Sequence, residues 1–119
     1  MHYFGFLGSD QEQVLAKVDT ILDDILRAHE KKKYELFTRH LGSKQRENIT
    51  EQQFLGAAQE TNKRLGSYKS RRFLAGLRRG DLPMLLWAAN YSNSEDDIMI
   101  SLVLDQQGDN VVVNWFWVE

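Results

Sequence analysis

The second half of the chain, from Ser67 to Val118, consists of apolar stretches separated by short polar segments. These segments lie around residues 79–82, 93–96 and 106–109. Apolar runs of this length, bounded by turn-forming residues, are typical of β-strands, and connections this short join antiparallel neighbours. The pattern therefore predicts four consecutive antiparallel strands.

Before the strands, apolar residues recur every three or four positions, which is the spacing of one face of a helix. Ser9 and Glu12 match a capping box, so a first helix is predicted to begin near Asp10. We expect this helix to break after Leu26, because continuing the stripe would place polar and charged groups toward the core. The stripe consists of Val14, Val18, Ile21, Leu22 and Ile25, and the polar groups beyond it are His29, Glu30 and Lys33.

A short second helix is expected to direct its apolar residues inward and to stop at Gly42, and residues 43–48 are expected to form a loop. The inward residues are Tyr34, Phe37 and Leu41. A third helix is predicted from Thr50, because Gln53 completes a capping box, to Gly66.

The elements together predict an α+β fold in which three N-terminal helices pack on a curved four-stranded antiparallel sheet. At 119 residues the chain is expected to form one domain, 1–119, with residues 1–9 as an N-terminal arm. The arm is apolar and aromatic, so it is expected either to pack on the surface of its own chain or of a partner, or to be a disordered terminus.

The segment Arg79-Gly80-Asp81-Leu82 suits a two-residue hairpin turn, which fixes a register for the first two strands. This register places Leu74 opposite Trp87, Phe73 opposite Ala88 and Arg71 opposite Asn90. It predicts a core face under the helices, which carries Leu74, Leu85, Trp87, Tyr91, Ile98, Ile100, Leu102, Leu104, Val111, Val113, Trp115 and Trp117. A slip of one residue would exchange the faces of a strand.

The opposite face of the predicted sheet is also mostly apolar, so we expect a partner to cover it. A second copy of the same chain is the partner that this pattern favours. The interface candidates on this face are Arg71, Ala88, Asn90, Met99, Ser101, Asn114 and Phe116.

Composition changes this interpretation little. With 15 Lys and Arg against 17 Asp and Glu, the chain has no overall basic charge that would favour nucleic acid, and no apolar run is long enough to span a membrane. A cytoplasmic protein is the resulting expectation. The absence of cysteine from the sequence excludes disulfides and thiolate chemistry.

One cluster of cations stands out, seven within 17 residues that contain no acid: Lys63, Arg64, Lys69, Arg71, Arg72, Arg78 and Arg79. Such a cluster can hold phosphates or an acidic partner. The interpretation that we favour is pairing with acids of the same fold or of a second subunit, for example Glu95, Asp96 and Asp97.

The order of elements resembles the nuclear-transport-factor-2-like superfamily, in particular small bacterial members of uncharacterised function. The resemblance lies in three helices followed by a four-stranded sheet, in the segment 65–70 that leads into the first strand, and in Asn114-Trp115-Phe116-Trp117 in the last one. It implies a cystatin-like, cone-shaped fold with a cavity between helices and sheet, and commonly a dimer through the outer sheet face. Some relatives are isomerases, dehydratases or hydrolases with Asp, His or Tyr inside the cone.

Candidate catalytic groups are few in this chain. The predicted cone wall holds no His and no carboxylate, which general acid–base catalysis would need, so an enzyme is not favoured. Asp19 and Asp23 are four apart on one helical side and are either paired carboxylates or ligands of a hard metal ion, or simply part of a solvated face, which we favour. His40 is either an acid–base group or a residue favoured by the helix dipole. No catalytic residue, metal or cofactor is predicted.

A pocket for a small apolar ligand is the alternative function. Its candidate residues are Tyr68, Trp87, Tyr91, Trp115, Trp117 and His40, although aromatic residues on a core face are more often simply core. The hypotheses are, in order, a dimeric interaction domain without catalysis, a ligand-binding cone, and an enzyme.

Overall fold

The computed structural model describes residues 2–119 and contains a short 3₁₀ turn, Gly5–Leu7, followed by helices and then strands. The helices are α1 (Gln11–Lys31), α2 (Tyr34–Thr38), α3 (Ser43–Asn48) and α4 (Glu51–Leu65). The strands are β1 (Tyr68–Arg79), β2 (Leu82–Tyr91), β3 (Ile98–Gln107) and β4 (Asn110–Val118).

The four strands form one antiparallel sheet in chain order, β1-β2-β3-β4. The helices cover one face of it, and a single core fills the space between them. The predicted α+β class is confirmed. Eight of the predicted core-face residues are buried: Leu85, Trp87, Tyr91, Ile98, Ile100, Leu102, Leu104 and Val113.

Helix α1 begins where the sequence predicts, with the side chain of Asp10 accepting a hydrogen bond from the Glu12 amide. It does not break after Leu26 but continues to Lys31. Lys32 caps it in the left-handed conformation, with a φ of +56°. The predicted break was wrong because His29 enters the core among aromatic rings. Glu30 finds a partner too, since its carboxylate accepts a hydrogen bond from the Tyr68 amide.

The segment predicted as a loop, residues 43–48, is the short helix α3. This helix has no buried residue, so it lacks the apolar periodicity that a sequence pattern would show. It is held from outside instead, because the side chain of Gln107 accepts hydrogen bonds from the Ser43 amide and hydroxyl. Helix α4 carries the predicted capping box of Thr50 and Gln53.

The hairpin between β1 and β2 has the predicted turn, with Arg79 opposite Leu82 and Gly80 at a φ of +61°. The predicted register holds from there to the pair Ala75–Leu86. It then shifts by one at Leu74, so that Phe73 and not Leu74 lies opposite Trp87. Leu74 is a β-bulge residue, an extra residue in one strand only.

A second bulge changes β4. Trp115 pairs with Val103 and Val113 pairs with Leu104, which leaves Asn114 as the extra residue. Beyond it the predicted faces are exchanged. Trp115 and Trp117 are 55% and 47% exposed, whereas Phe116 packs against the core.

The bulge at Leu74 has the same kind of effect in β1. Leu74, predicted in the core, is 45% exposed, and Phe73, predicted outside, packs against the core with its ring edge-on to Trp87. Arg71, next on the same side, also moves from the predicted outer face to the helix side. Val111, Val118 and Tyr68 are partly buried against the core.

Both edge strands of the sheet, β1 and β4, are partly covered by other segments. On β1, the amide of Tyr3 donates to the carbonyl of Gly76, the Gly76 amide donates to Nδ1 of His2, and Phe4 is buried below. On β4, the Val113 amide donates to the His40 carbonyl. The arm thus packs on its own chain, one of its two predicted locations.

We predict that Gly76→Ala destabilises the protein by about 1–3 kcal/mol, the usual cost of overpacking. A Cβ at Gly76 would lie 2.6 Å from the Tyr3 carbonyl oxygen and 3.0 Å from the Phe4 ring, so the arm must move. The matched control is Gly56→Ala in α4, where nothing lies within 4 Å. That change should stabilise by up to about 1 kcal/mol, through helix propensity. Urea unfolding measures both, and equal stability of Gly76→Ala and wild type would contradict this account of the arm.

Candidate functional site

An exposed apolar surface lies on the sheet face away from the helices. We call it the outer face and define it by Met84, Leu86, Met99, Ser101, Val103, Trp115 and Trp117. These residues, together with Arg79, Leu82, Asn114 and Glu119, line a groove of about 570 Å³. Apolar surface this continuous marks an interaction site more often than a solvated one.

The outer face is ordered by strand pairing. Leu86 lies opposite Ser101, which lies opposite Trp117, and in the next row Met84, Val103 and Trp115 are aligned in the same way. The rings of Trp115 and Trp117 stack at 5.9 Å with 14° between their planes. The two indoles therefore form one flat apolar wall along the β4 side.

Two opposite charges stand at diagonal corners of this groove. Arg79 ends β1 beside the first hairpin, and Glu119 follows β4 at the other end of the sheet, where it pairs with Met99. Neither side chain makes an ion pair with another residue of the range 2–119.

The predicted interface candidates divide between the two faces. Ala88, Met99 and Ser101 lie on the outer face, and Asn90 follows in the same alternation. Asn114 is the bulge residue, and its side chain accepts a hydrogen bond from Gln45. Arg71 and Phe116 lie on the helix side, since the bulges exchange the faces of their strands.

The predicted pocket aromatics do not meet in one pocket. Trp87 and Tyr91 are buried in the core, Tyr68 packs edge-on against Tyr91, and Trp115 and Trp117 lie on the opposite face. The cavity beside Tyr68 and Tyr91 measures about 10 Å³, room for roughly one water molecule. Burial, with smaller effects of Tyr68 and Glu30, raises the pKa of Tyr91 to about 12.

Asp19 and Asp23 contact Arg71, which reaches them from β1. The guanidinium lies 3.1 Å from Asp19 and 2.8 Å from Asp23, and it donates a further hydrogen bond to the Tyr68 hydroxyl. Burial lowers the pKa of Arg71, but the hydrogen bonds to the two carboxylates and to Tyr68 outweigh it, so the net shift is upward. The two acids thus anchor a cation of β1, while their own side chains stay about half exposed to solvent.

His40 bonds to a residue that sequence analysis did not single out. Its Nε2 lies 2.8 Å from Oδ2 of Asp24 in α1, and both side chains are about four-fifths buried. The contact ties the end of α2 to α1.

The basic cluster is partly neutralised within the chain. Besides Arg71, Arg72 pairs with Asp97 at 3.4 Å and Arg78 with Asp81 at 3.2 Å. The pairing of Arg72 is one that the sequence suggested. Lys63, Arg64, Lys69 and Arg79 make no ion pair among the residues that the structure describes.

Sequence analysis missed His29 as a candidate, although it continues the stripe of α1 one turn after Ile25. Its ring is surrounded edge-on by those of Phe116, Phe54 and Phe37, at centroid distances of 5.0, 5.2 and 5.5 Å. Its Nδ1 is buried without a hydrogen-bond partner. Burial lowers the pKa of His29 from 6.5 to about 4, so the ring is neutral at physiological pH.

A cleft of about 320 Å³ opens beside His29, between α4 and the end of β4. Its floor is formed by aromatic rings and its rim by residues of the helix and the strand. The lining consists of His29, Phe37, Ile49, Phe54, Ala57, Glu60, Thr61, Arg64, Phe116, Trp117 and Val118. We call it the aromatic cleft.

Within residues 2–119, no three His, Cys, Asp or Glu side chains come together in a way that could hold a metal ion. No helix in that range is both long and apolar enough to cross a bilayer.

Comparisons with protein-family models, with curated proteins and with solved structures find no match to this chain. The resemblance to the nuclear-transport-factor-2-like superfamily therefore stays a prediction. Function is inferred below from the geometry alone.

We predict that His29 makes the protein less stable in acid. Its pKa is about 6.5 in the unfolded chain and about 4 in the fold, so between these values the unfolded chain binds more protons. The stability that depends on neutral His29 is fully present above the unfolded pKa and is lost as pH falls toward the folded one. At about 1.4 kcal/mol per pKa unit, the loss is on the order of 3 kcal/mol.

The measurement is urea unfolding of wild type and His29→Leu over this pH range. Leucine has a similar volume and does not titrate. As the pH falls, the free energy of unfolding of His29→Leu should therefore decrease by on the order of 3 kcal/mol less than that of wild type. Two parallel pH curves would show that His29 is not buried in its neutral form.

Proposed function

We propose that this protein is a non-catalytic interaction domain that forms a homodimer through the outer face. The observation that carries the proposal is the exposure of two stacked tryptophans on a sheet face lined by Met, Leu and Val side chains. Tryptophan is enriched at the energetic centres of protein interfaces. A face of this kind left in water would promote aggregation.

The size of the face fits a reversible dimer. Four strands about 4.8 Å apart, over about seven residues of about 3.3 Å each, cover roughly 400 Å² in projection. Two facing copies would bury roughly 800 Å² in total, which is in the range of weak and transient interfaces. We therefore expect a dimer that dissociates on dilution.

The corner charges favour a second copy over an unrelated partner. In a two-fold dimer each surface meets itself, so a surface must be complementary to its own rotated image. An axis that lies between the two sheets, perpendicular to the diagonal from Arg79 to Glu119, brings each Arg79 to the Glu119 of the other copy. The dimer would then contain two such ion pairs.

The proposal leaves out catalysis because the acids and histidines that could take part in it are bound to structural partners. Asp19 and Asp23 hold Arg71, and Asp24 holds His40. His29 is neutral and enclosed by phenylalanines. None of these groups faces the outer groove.

We predict that Trp115→Lys weakens the dimer by about 2–4 kcal/mol, or roughly 30- to 1,000-fold in Kd, because it removes a large aromatic contact and places two like charges at the interface. Sedimentation equilibrium over a range of protein concentrations measures the effect. The matched control is Phe6→Lys in the N-terminal 3₁₀ turn, which changes an exposed apolar residue that lies outside the sheet and does not line the groove. A monomeric wild type, or equal weakening by both variants, would refute dimerisation through this face.

We further predict a charge-exchange effect at the corners. Arg79→Glu and Glu119→Arg should each weaken the dimer, since each leaves like charges facing one another, and the double variant should restore it. Each single change is expected to cost about 0.5–1 kcal/mol of association free energy per contact, because the pairs lie at the rim. If the double variant is as weak as the sum of the single ones, the proposed axis is wrong.

A further inference from the structure

The end of β4 presents an open strand edge. The amide of Glu119 donates to the Met99 carbonyl, and the Met99 amide donates back to the Glu119 carbonyl. In an antiparallel ladder such hydrogen-bonded pairs alternate with pairs that make no bonds to each other. The pairs Val118–Ile100 and Phe116–Leu102 are of the second kind, so the amides and carbonyls of Phe116 and Val118 point away from β3.

These outward groups have no hydrogen-bond partner among residues 2–119. Elsewhere the same edge is occupied, because Val113 exchanges hydrogen bonds with His40 and Gly42. The opposite edge is occupied at Gly76 by the arm, whose Phe4 side chain inserts into the core. The molecule therefore already binds extended segments at sheet edges, with an apolar side chain inserted beside the edge.

The aromatic cleft lies next to this open edge. Side chains on alternate residues of an added strand point to the same side of the sheet. Residues placed opposite Phe116 and Val118 would therefore point to the helix side, over the cleft floor of Phe37, Phe54 and His29. A volume of about 320 Å³ suits two medium-sized apolar side chains.

We propose that the edge of β4 at Phe116 and Val118 binds an extended peptide segment of another protein. The segment adds as a fifth strand and places two apolar side chains, two residues apart, in the aromatic cleft. Main-chain hydrogen bonds to Phe116 and Val118 supply affinity, and the cleft selects the side chains. Glu60 and Arg64 on the rim make no ion pairs in the described part of the chain, so the segment carries charged residues beside its apolar ones.

A second copy of the chain fits this edge less well. Two copies joined edge to edge would contribute two clefts and fill neither, since Phe116 and Val118 of each already pack on their own core. A peptide supplies the two missing side chains. This inference does not depend on the outer-face dimer, because the edge and the face are different surfaces.

The test is selection from a phage-displayed library of random twelve-residue peptides on the full chain. We expect enriched sequences with apolar residues two apart, and protection of the Phe116 and Val118 amides from hydrogen exchange when the best peptide is bound. Val118→Pro removes one outward amide at a position where strand pairing does not use it, and should weaken that peptide by about tenfold or more. Val118→Ala keeps the amide and is the matched control, which should retain binding.

Ala57→Trp provides a second variant that leaves the strand unchanged. Ala57 is exposed on α4 and lines the cleft, so an indole there should occupy the peptide's side-chain positions and abolish binding. The proposal is overturned if no such sequences are enriched, or if Val118→Pro and Ala57→Trp, both folded by circular dichroism, bind like wild type. It is also overturned if protection at Phe116 and Val118 arises with protein concentration alone, because a second copy then occupies the edge.

Discussion

Side chains of a β-strand alternate between its two faces, so a single extra residue sends everything beyond it to the other side. In this protein the edge strands β1 and β4 each contain such a residue, Leu74 and Asn114. The bulge in β4 brings Phe116 to the helices and sends Trp115 and Trp117 to the outer face. The two surfaces that we assign to function, the outer face and the aromatic cleft, both follow from this one residue.

The bulge in β1 determines in the same way which charged groups come into contact. It brings Phe73 and Arg71 to the helix side, where the guanidinium meets the two carboxylates of Asp19 and Asp23 one helical turn apart. A planar guanidinium held by two acids fixes distance and orientation more closely than an apolar contact would. At the other end of α1, His29 is fixed by edge-on aromatic rings without any hydrogen bond to Nδ1. One long helix is thus held at the sheet by a charged contact and by an aromatic one.

The fold class, the strand order, the start of α1 and both ends of α4 could be predicted from the sequence, because capping residues, turn residues and apolar spacing are local signals. The bulges could not be predicted. Apart from Asn114, residues 111–118 are apolar on both alternations, so the apolar pattern does not distinguish one register of β4 from the other. Phe73 and Leu74 are likewise equally apolar neighbours. His29 was missed for a different reason. The expected break in α1 assumed a charged histidine, whereas the neutral ring is accommodated with its pKa lowered to about 4. The outer face and the aromatic cleft depend on the bulges and on the neutral His29 ring, so they could be recognised only in the structure.

The arm on β1 has a consequence for how the chain folds. Each strand of the sheet pairs with the next one along the chain, so the sheet forms through contacts between strands that are close in sequence. The contact of His2 with Gly76 spans 74 residues, and it needs β1 to be in place first. During synthesis, the arm therefore leaves the ribosome long before its docking site exists, with Phe4 and its neighbours exposed in the meantime. The arm is made before its docking site and is among the last segments to find its place, and a chaperone that binds nascent chains would meet it in that interval.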